Sequence, residues 1–226
     1  MGPVFEKIPN DTLRGRIVER IHGAILNGSL KEGQRLVERQ LAAQFETSLT
    51  AVREALIELE ATGFVIKKPN ATTHVTKLSK QAGEKIFLFR RIMEGFAVEE
   101  AARQATSKDL ESLEIIYSKL LDAARSKDAP LFIQTDFSLH DQIWRMTNNE
   151  YVHDSLRRVL LPYFAFTAIR VVSHRPFDLV QDVSSHLPLL DSIKAKDPDA
   201  ARKAFNMALN EWLEQARALV YDEYEE

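Results

Sequence analysis

Apolar residues recur at helical intervals near the N-terminus and predict three helices there. The first helix is expected over about 12–27, because one of its faces carries apolar residues at four-residue steps: Leu13, Ile17, Ile21 and Ile25. A second, shorter helix is expected in "LVERQLAAQF", and a third from about 49 to 62, where the hydroxyl of Ser48 can cap the first turn. The third helix has an apolar face of its own, formed by Val52, Ala55, Leu56 and Leu59.

Two short runs rich in β-branched and aromatic residues follow these helices. They read "FVIKK" and "THVTK" and are separated by "PNAT", which predicts a two-stranded hairpin. Three short helices followed by such a hairpin predict a winged helix-turn-helix domain over residues 1–78.

From Ser79 onward the apolar residues follow helical periods throughout. One stripe is formed by Ile86, Phe89, Met93 and Phe96, and a second by Leu110, Leu113, Tyr117, Leu120 and Ala124. About six helices are expected, near 79–104, 107–126, 130–147, 150–172, 176–195 and 198–221. The predicted fold class is therefore mostly α, with an N-terminal winged helix-turn-helix followed by an all-helical bundle over residues 79–226.

The composition is that of a globular protein, with 45% hydrophobic and 28% charged residues. There is no cysteine, which excludes disulfides and thiolate metal sites and fits a reducing cytoplasm. The most apolar run, residues 159–169, contains Pro162 and is shorter than the roughly 20 residues that a bilayer requires, so no membrane partner is expected.

The net charge of −3 is divided unevenly along the chain. Residues 1–78 hold 11 Lys and Arg against 9 Asp and Glu, whereas the remainder holds 19 against 24. A weakly basic N-terminal domain on an acidic body is compatible with a nucleic-acid contact.

The N-terminal half of the predicted 49–62 helix indicates where such a contact would lie. A short helix packed across its neighbour presents this half outward, and the DNA major groove is wide enough to accept it. The residues expected to face the groove are Thr47, Leu49, Thr50 and Arg53. Arg39 on the preceding helix, and Lys67 and Lys68 in the wing, are expected near phosphates, whose neutralisation supplies most of the affinity. The alternative is a helical hairpin that only packs, with Arg53 paired to a local glutamate.

A second pattern places polar residues inside apolar stripes. In the predicted helix 130–147, Asp136 and His140 are four positions apart and therefore share one face. In the predicted helix 176–195, His186 interrupts an apolar stripe in the same way. A carboxylate and two imidazoles that converge inside a bundle would suit Zn, Ni or Mn. The alternative is a buried Asp–His hydrogen bond and a second, separately satisfied histidine.

The segment from "LRGRIVERIHGAIL" to "ELEATGFV" resembles the GntR family of bacterial transcription regulators, in its FadR-type subfamily. The resemblance is carried by "G-x-x-L", "E-x-x-L-A", "T-x-V-R-E-A-L" and "L-x-x-x-G-x-V", in this order. The helical remainder is similar to that subfamily's effector-binding (FCD) domain, including "RRIMEGFAVEEAA" and "TDFSLHDQIW". The resemblance implies a homodimer that uses Arg39 and Arg53, with the recognition helix and wing, on a double-stranded DNA operator of inverted half-sites.

Two features of the N-terminal domain depart from the family's pattern. Leu49 stands where the family usually has arginine, and leucine can touch a thymine methyl group but cannot donate to guanine. The wing reads "KKPNATTH" and lacks the family's usual glycine. DNA binding is therefore expected, but through base contacts that differ from those usual in the family.

The resemblance also bears on the helical domain, because many members of the subfamily bind a metal there. Their ligands are an aspartate, a histidine four residues later and two further histidines. Asp136, His140 and His186 match three of these positions, and the fourth is Ala208. A three-ligand site is implied, in which either a divalent metal with open positions or the effector alone occupies the cavity.

The effector implied by the resemblance is a small molecule, and the sequence does not identify it. Arg90 and Arg170 are candidate partners for an effector carboxylate, because a guanidinium grips carboxylates through two parallel hydrogen bonds. The alternative for each is an ordinary ion pair.

Three functions follow from these patterns. The preferred one is a ligand-responsive DNA-binding regulator, a repressor rather than an activator, and not an enzyme. An interaction adaptor with a winged helix that does not bind DNA is suggested by Leu49 and the altered wing. A metal-dependent hydrolase could use Asp136, His140 and His186, but the sequence has no evident general base, phosphate loop or G-x-S-x-G elbow beside them.

Overall fold

The structure is a computed structural model that describes residues 13–68, 72–173 and 178–221, with the side chains of 171–173 and 215–221 left aside. The chain forms two compact units, residues 1–77 and residues 78–226. The first unit contains the helices α1 (Leu13–Leu26), α2 (Glu38–Gln44) and α3 (Leu49–Ala61) and the strands β1 (Arg35–Leu36), β2 (Val65–Lys68) and β3 (Thr72–Val75). It is a winged helix-turn-helix, as the sequence predicts.

The core of the first unit is formed by the apolar faces that the sequence marks. The buried side chains come from α1 and α3 and from the start of β2, and they include Ile17, Ile21, Ile25, Val52, Ala55, Leu56, Leu59, Phe64 and Val65. Leu13 is the exception on α1, being 45% exposed. Helix α3 begins where expected, because the Ser48 hydroxyl accepts a hydrogen bond from the backbone N–H of Ala51.

The wing has one strand more than the sequence predicts. β3 lies between β2 and β1 and pairs antiparallel with both, with Arg35 opposite His74 and Val65 opposite Val75. The two-residue strand β1 is too short to show an alternating pattern, so only its pairing with a distant segment reveals it. The wing tip, residues 69–71, lies outside the described residues.

The second unit is helical. Its described elements are α4 (Lys80–Gln104), α5 (Ser107–Ser126), α6 (Ala129–Arg145), α7 (Glu150–Ser173), α8 (Leu179–Ser184), α9 (Leu187–Lys194) and α10 (Pro198–Tyr221). α5 begins with a capping box between Thr106 and Asp109, and the carboxylate of Asp128 caps α6. None of the helices in the described part of the chain is long and apolar enough to span a bilayer.

The single helix predicted over 176–195 is two short helices, α8 and α9. Ser185 ends α8, and His186 occupies the N-cap position of α9, with Pro188 in its first turn. Proline has no backbone N–H and its ring crowds the carbonyl four residues earlier, which favours a break at this point, although α7 continues through Pro162. The break places His186 at a helix end rather than along a helix face.

The buried face of α4 agrees in part with the stripe predicted for it, because Ile86, Phe89 and Met93 are half-buried and pack against the core. Phe96 is 41% exposed, whereas the face that packs inward carries Arg90, Glu94, Ala97 and Ala101. Small residues let α4 approach its neighbours closely, and the inward face also holds an ion pair. Because the large apolar side chains mark only one edge of the inward face, the predicted stripe includes the exposed Phe96 and omits the fully buried small residues and ion pair.

Candidate functional site

A cavity of about 60 Å³, measured as the space open to the centre of a water molecule, lies inside the helical unit. Its lining includes Arg90, Asp136, His140, Phe164, Asp182, His186, Ala208 and Trp212, which come from α4, α6, α7, α8, α10 and the α8–α9 junction. Because one water needs roughly 10–15 Å³ on this measure, the cavity can hold a few water-sized groups.

The three ligands predicted from the sequence meet in this cavity. Asp136 and His140 are one turn apart on α6, and His186 approaches from the N-cap of α9. One ligand atom from each lies within 4.8 Å of the other two. A carboxylate and two imidazoles are side chains that can hold a divalent metal, and this group is therefore a candidate metal site.

The hydrogen bonds of the two histidines decide which ring nitrogens face each other. Nδ1 of His140 lies 3.1 Å from Oε1 of Glu94, and Nδ1 of His186 lies 3.2 Å from the backbone oxygens of Asp182 and Val183. A carboxylate and a carbonyl only accept, so each Nδ1 carries the proton and donates. The two Nε2 atoms lie 3.4 Å apart and face each other. When both rings are neutral, each Nε2 has an unshared electron pair available to a metal ion or a proton.

Glu94 lies at the centre of a buried network beside the cavity. It is 1% exposed, forms an ion pair with Arg90 through Nε, and accepts hydrogen bonds from His140 and from Nε1 of Trp144. Burial opposes ionisation of Glu94, but Arg90 and His140 outweigh it and lower its pKa to about 2. Glu94 is therefore a carboxylate at neutral pH.

Burial and neighbouring charges also shift the pKa values of Asp182 and His186 in the cavity. Burial, and next the neighbouring Asp136, raise the pKa of Asp182 to about 8. Burial, and next His140, lower the pKa of His186, which keeps this imidazole neutral and able to act as a ligand. The cavity thus gathers two acidic side chains and two imidazoles.

The two arginines proposed for an effector carboxylate are placed differently. Arg90 lines the cavity, and its guanidinium lies 4.7 Å from the ring centroid of Phe164. Burial would lower the pKa of Arg90, but Glu94 outweighs it and raises that pKa. Arg170 is buried and donates to the backbone oxygen of Leu78, and it is not among the described residues that line the cavity. The structure therefore brings only Arg90 to the site.

The predicted DNA-binding residues lie on α2, in the turn between α2 and α3, on α3 and on β2 of the first unit. Arg39, Leu49, Thr50, Arg53, Lys67 and Lys68 are exposed, whereas Thr47 is half-buried. The exposed set includes the first turn of α3, which is the end that a recognition helix presents to DNA.

Arg53 is held by a neighbouring carboxylate. Its Nε donates to Glu38 across 2.7 Å, while the Arg53 side chain remains 60% exposed. The pairing with a local glutamate that a merely packed hairpin would show is therefore present, together with the exposure that DNA contact requires. Because Nε is engaged, the pair also orients the guanidinium.

The sequence reasoning missed three functional candidates: Glu38, Glu94 and Asp182. A signal existed for two of them. Glu94 stands four residues after Arg90, which is the spacing of a helical ion pair. Asp182 stands four residues before His186, which repeats the spacing of Asp136 and His140. His174, to which we assign no role, lies outside the described residues.

Two protein families match the chain, one for each unit. Residues 13–75 match "Bacterial regulatory proteins, gntR family", and residues 85–211 match the "FCD domain". The second match alone covers more than half of the 226 residues.

Several curated proteins are similar over most of their length. The "HTH-type transcriptional regulator McbR" of Escherichia coli K12 is 27% identical over 87% of this chain and 87% of its own. The "Probable D-xylose utilization operon transcriptional repressor" of Paenarthrobacter nicotinovorans is 26% identical over 90% and 88%. The "Gluconate operon transcriptional repressor" of Bacillus licheniformis is 25% identical over 84% and 79%.

Solved structures share the fold. The structure titled "E. coli McbR/YncC" superposes with a TM-score of 0.77 at 24% identity, over 95% of this chain and 100% of that one. A transcriptional regulator GntR from Rhodococcus sp. RHA1 gives a TM-score of 0.76 at 20% identity, over 91% and 97%.

Proposed function

Because the chain belongs to the GntR family of bacterial regulatory proteins and carries its FCD domain, we propose that it is a cytoplasmic repressor released by a metal-held anionic metabolite. Membership makes it a DNA-binding transcription regulator and not an enzyme. The proposal adds the DNA-contacting residues, the metal, the effector class and the sign of regulation.

The exposed turn at the start of α3 is proposed to enter the major groove of an operator with inverted half-sites. Thr47, Leu49, Thr50 and Arg53 would face base edges, and Arg39, Lys67 and Lys68 would face phosphates. The Arg53–Glu38 contact uses only Nε, and a guanidinium has five N–H donors, so its terminal nitrogens stay available to guanine or phosphate. Leu49 would touch a thymine methyl group.

Replacing Arg53 by alanine is expected to weaken operator binding by about 1–3 kcal/mol, since one guanidinium contact is lost. The measurement is a mobility shift on the DNA upstream of the protein's own gene, repeated over a range of salt concentrations. If Arg53 contacts a phosphate, the variant also shows a smaller salt dependence.

The matched control is Arg125→Ala, which removes an exposed arginine from α5 of the other unit and should leave binding unchanged. If Arg53→Ala binds as tightly as the unmodified protein, Arg53 does not read DNA. If the unmodified protein shifts none of this DNA at any salt concentration, the result favours the alternative of an interaction adaptor whose winged helix does not bind DNA.

The observation that carries the metal proposal is the facing pair of imidazole nitrogens. Two nitrogens bound at about 2.0–2.1 Å to one tetrahedral zinc would be about 3.4 Å apart, and His140 and His186 have this Nε2–Nε2 separation of 3.4 Å. The Nδ1–H group of His140 donates a hydrogen bond to a carboxylate, and that of His186 donates to backbone carbonyls, as the second nitrogen of metal-bound histidines commonly does. The alternative is that a proton, rather than a metal ion, lies between the two Nε2 atoms.

The ion would be held by Asp136, His140 and His186. A bound metal would act there as a fixed positive charge with coordination positions open to an anionic ligand. Arg90 supports the same effector class, because its charge lines the cavity and only its Nε is taken by Glu94. The cavity holds only a few water-sized groups, so its size suits a small anionic metabolite.

Repression is supported by relatives that are named as operon repressors, among them the gluconate and D-xylose proteins. In the proposed mechanism, a homodimer matches its two recognition helices to the operator. An effector that binds more tightly to a different dimer geometry shifts the protein toward that geometry. The affinity for DNA then falls by at most the effector's difference in affinity for the two geometries.

Replacing Ala208 by histidine is expected to strengthen metal binding, because Ala208 lines the cavity and, by the resemblance, occupies the sequence position of the family's fourth ligand. The metal affinity should rise by at least roughly 10–100-fold, which is the change produced by groups that only hydrogen-bond to the metal's ligands. Titration calorimetry with zinc, nickel and manganese measures it. The control is Met207→His, which places a histidine on the exposed surface one residue away; equal affinities for the two variants contradict the placement of the site.

A further inference from the structure

Asp182 is an acidic side chain of the cavity that has no role in the proposed metal site. It lies on α8 and lines the cavity, but it is not part of the group of ligand atoms that lie within 4.8 Å of one another. Its backbone oxygen accepts hydrogen bonds from the hydroxyl of Ser185 across 2.7 Å and from Nδ1 of His186 across 3.2 Å. These contacts fix the backbone at the cavity wall. The carboxyl group itself has no hydrogen-bond partner among the described residues, so it is left to a bound molecule.

The charged groups around Asp182 leave it without a neutralising partner. Of the described charged groups that act on it, Asp136 and Glu211 are acidic and only Arg90 is basic. The charge of Arg90 is already balanced by its buried ion pair with Glu94. Because a buried carboxylate is costly unless positive charge faces it, the missing charge is expected from a ligand.

A count of charges indicates which ligand would supply it. A divalent metal held by Asp136 and two neutral imidazoles would keep one positive charge, and a carboxylate of the effector would neutralise that charge. The carboxylate of Asp182 would then remain unbalanced among the described lining residues. An ammonium group on the effector would balance it, because it carries one positive charge and three N–H donors. It would also favour the carboxylate over the protonated form that burial favours in the empty cavity.

The size of the cavity restricts how far apart the two charged groups of such an effector can be. The guanidinium of Arg90, a second partner for the effector carboxylate, lies 4.7 Å from the ring centroid of Phe164 and 5.8 Å from that of Trp212. The cavity of about 60 Å³ admits only a few water-sized groups. The carboxylate and the ammonium must therefore be close together, as they are when both are attached to one carbon atom.

We propose that Asp182 binds an ammonium group and that the effector is a small α-amino acid. The inference rests on the proposed function, and it identifies the anionic group of the effector as the carboxylate of that amino acid. Asp182 would then provide specificity, because a simple carboxylic acid or a hydroxy acid leaves its charge unpaired.

The first test compares three acids that share one carbon skeleton. L-alanine, L-lactate and propionate carry an ammonium group, a hydroxyl group and a hydrogen atom at the carbon next to the carboxylate. Titration calorimetry uses the full chain, loaded with zinc and dialysed free of excess zinc. L-alanine should bind roughly 10–100-fold more tightly than either of the other acids, since only its ammonium group makes a charged hydrogen bond with Asp182.

The second test replaces Asp182 by asparagine, which preserves the shape and removes the charge. The affinity for L-alanine should fall by roughly 10–100-fold, and the affinities for L-lactate and propionate should change little. Asp191→Asn is the control, because Asp191 is exposed on α9 and is not among the described residues that line the cavity. Zinc affinity and circular dichroism should be the same for both variants, which separates the loss of one contact from the loss of the site.

Equal affinities of the unmodified chain for L-alanine and L-lactate overturn the inference, and this comparison does not depend on any variant. An Asp182→Asn protein that binds L-alanine as tightly as the unmodified chain overturns it, and so does failure of all three acids to bind. If L-alanine binds through Asp182 but does not change the mobility shift of the operator, the subsite stands and the proposed release of repression fails. If L-lactate releases the operator and L-alanine does not, the proposed function stands and the inference fails.

Discussion

Replacing Glu94 by glutamine is expected to lower the free energy of unfolding of the helical unit by about 3–5 kcal/mol, the cost of removing one partner of a buried ion pair. Glu94 is 1% exposed and ionised, and it neutralises Arg90, which is 6% exposed. Glutamine preserves the shape and one acceptor oxygen, so the loss reports the unpaired charge of Arg90 rather than a cavity. Denaturant unfolding followed by circular dichroism measures the change.

The control for this variant is Glu84→Gln on the same helix. Glu84 is exposed, and an exposed acidic side chain contributes less than about 1 kcal/mol even when it is paired. Equal losses of unfolding free energy for Glu84→Gln and Glu94→Gln would show that Arg90 finds another neutralising partner. A loss near zero for Glu94→Gln would contradict the buried network itself.

Replacing His186 by alanine is expected to reduce the affinity for a divalent metal by about 100-fold or more, since a directly bound nitrogen is lost where even outer-shell changes cost 10–100-fold. His140→Ala should have a similar effect. Titration calorimetry of the chelator-treated protein with zinc, nickel and manganese gives the affinities. In the unmodified protein, metal at 100 times its dissociation constant should add about 2.7 kcal/mol to the free energy of unfolding.

A histidine away from the cavity provides the comparison. His153 on α7 contacts Asp141 and Asp154, and none of these three residues lines the cavity as described. His153→Ala should therefore bind metal as the unmodified protein does. If the unmodified protein binds none of the three metals, a shared proton is the cation between His140 and His186, and the effector occupies the cavity unaided.

Much of the first unit could be predicted from local patterns. The spacing of Ile17, Ile21 and Ile25 marks a buried helix face because that face alone is packed. Ser48 marks the start of α3 because its hydroxyl satisfies a backbone donor of the first turn. The strand β1 escaped prediction, because two residues carry no period and pairing with β3 defines them.

The candidate site was predicted in part. Asp136, His140 and His186 could be selected because polar residues in apolar stripes need partners, and their convergence is confirmed by the structure. The roles of Glu94 and Asp182 were not foreseen, since each depends on which helices surround it. Arg170 shows the opposite case. Its charge made it a candidate partner for an effector carboxylate, but in the structure its guanidinium donates to the backbone oxygen of Leu78.

The sequence by itself determined the order and type of most elements, with β1 and the break between α8 and α9 as exceptions. It also determined the fold class and the three residues that suit a metal, because periodicity, capping and family motifs are local properties of the chain. Only the tertiary structure decided which residues of α4 are fully buried and where the predicted 176–195 helix is interrupted. It also decided that the Nε2 atoms of His140 and His186 lie 3.4 Å apart. The physical reason is that burial and ligand geometry depend on contacts between residues far apart in sequence. On α4 those contacts bury small residues and a neutralised ion pair almost completely, and they leave the large apolar side chains of Ile86, Phe89 and Met93 half-buried at the edge of the same core.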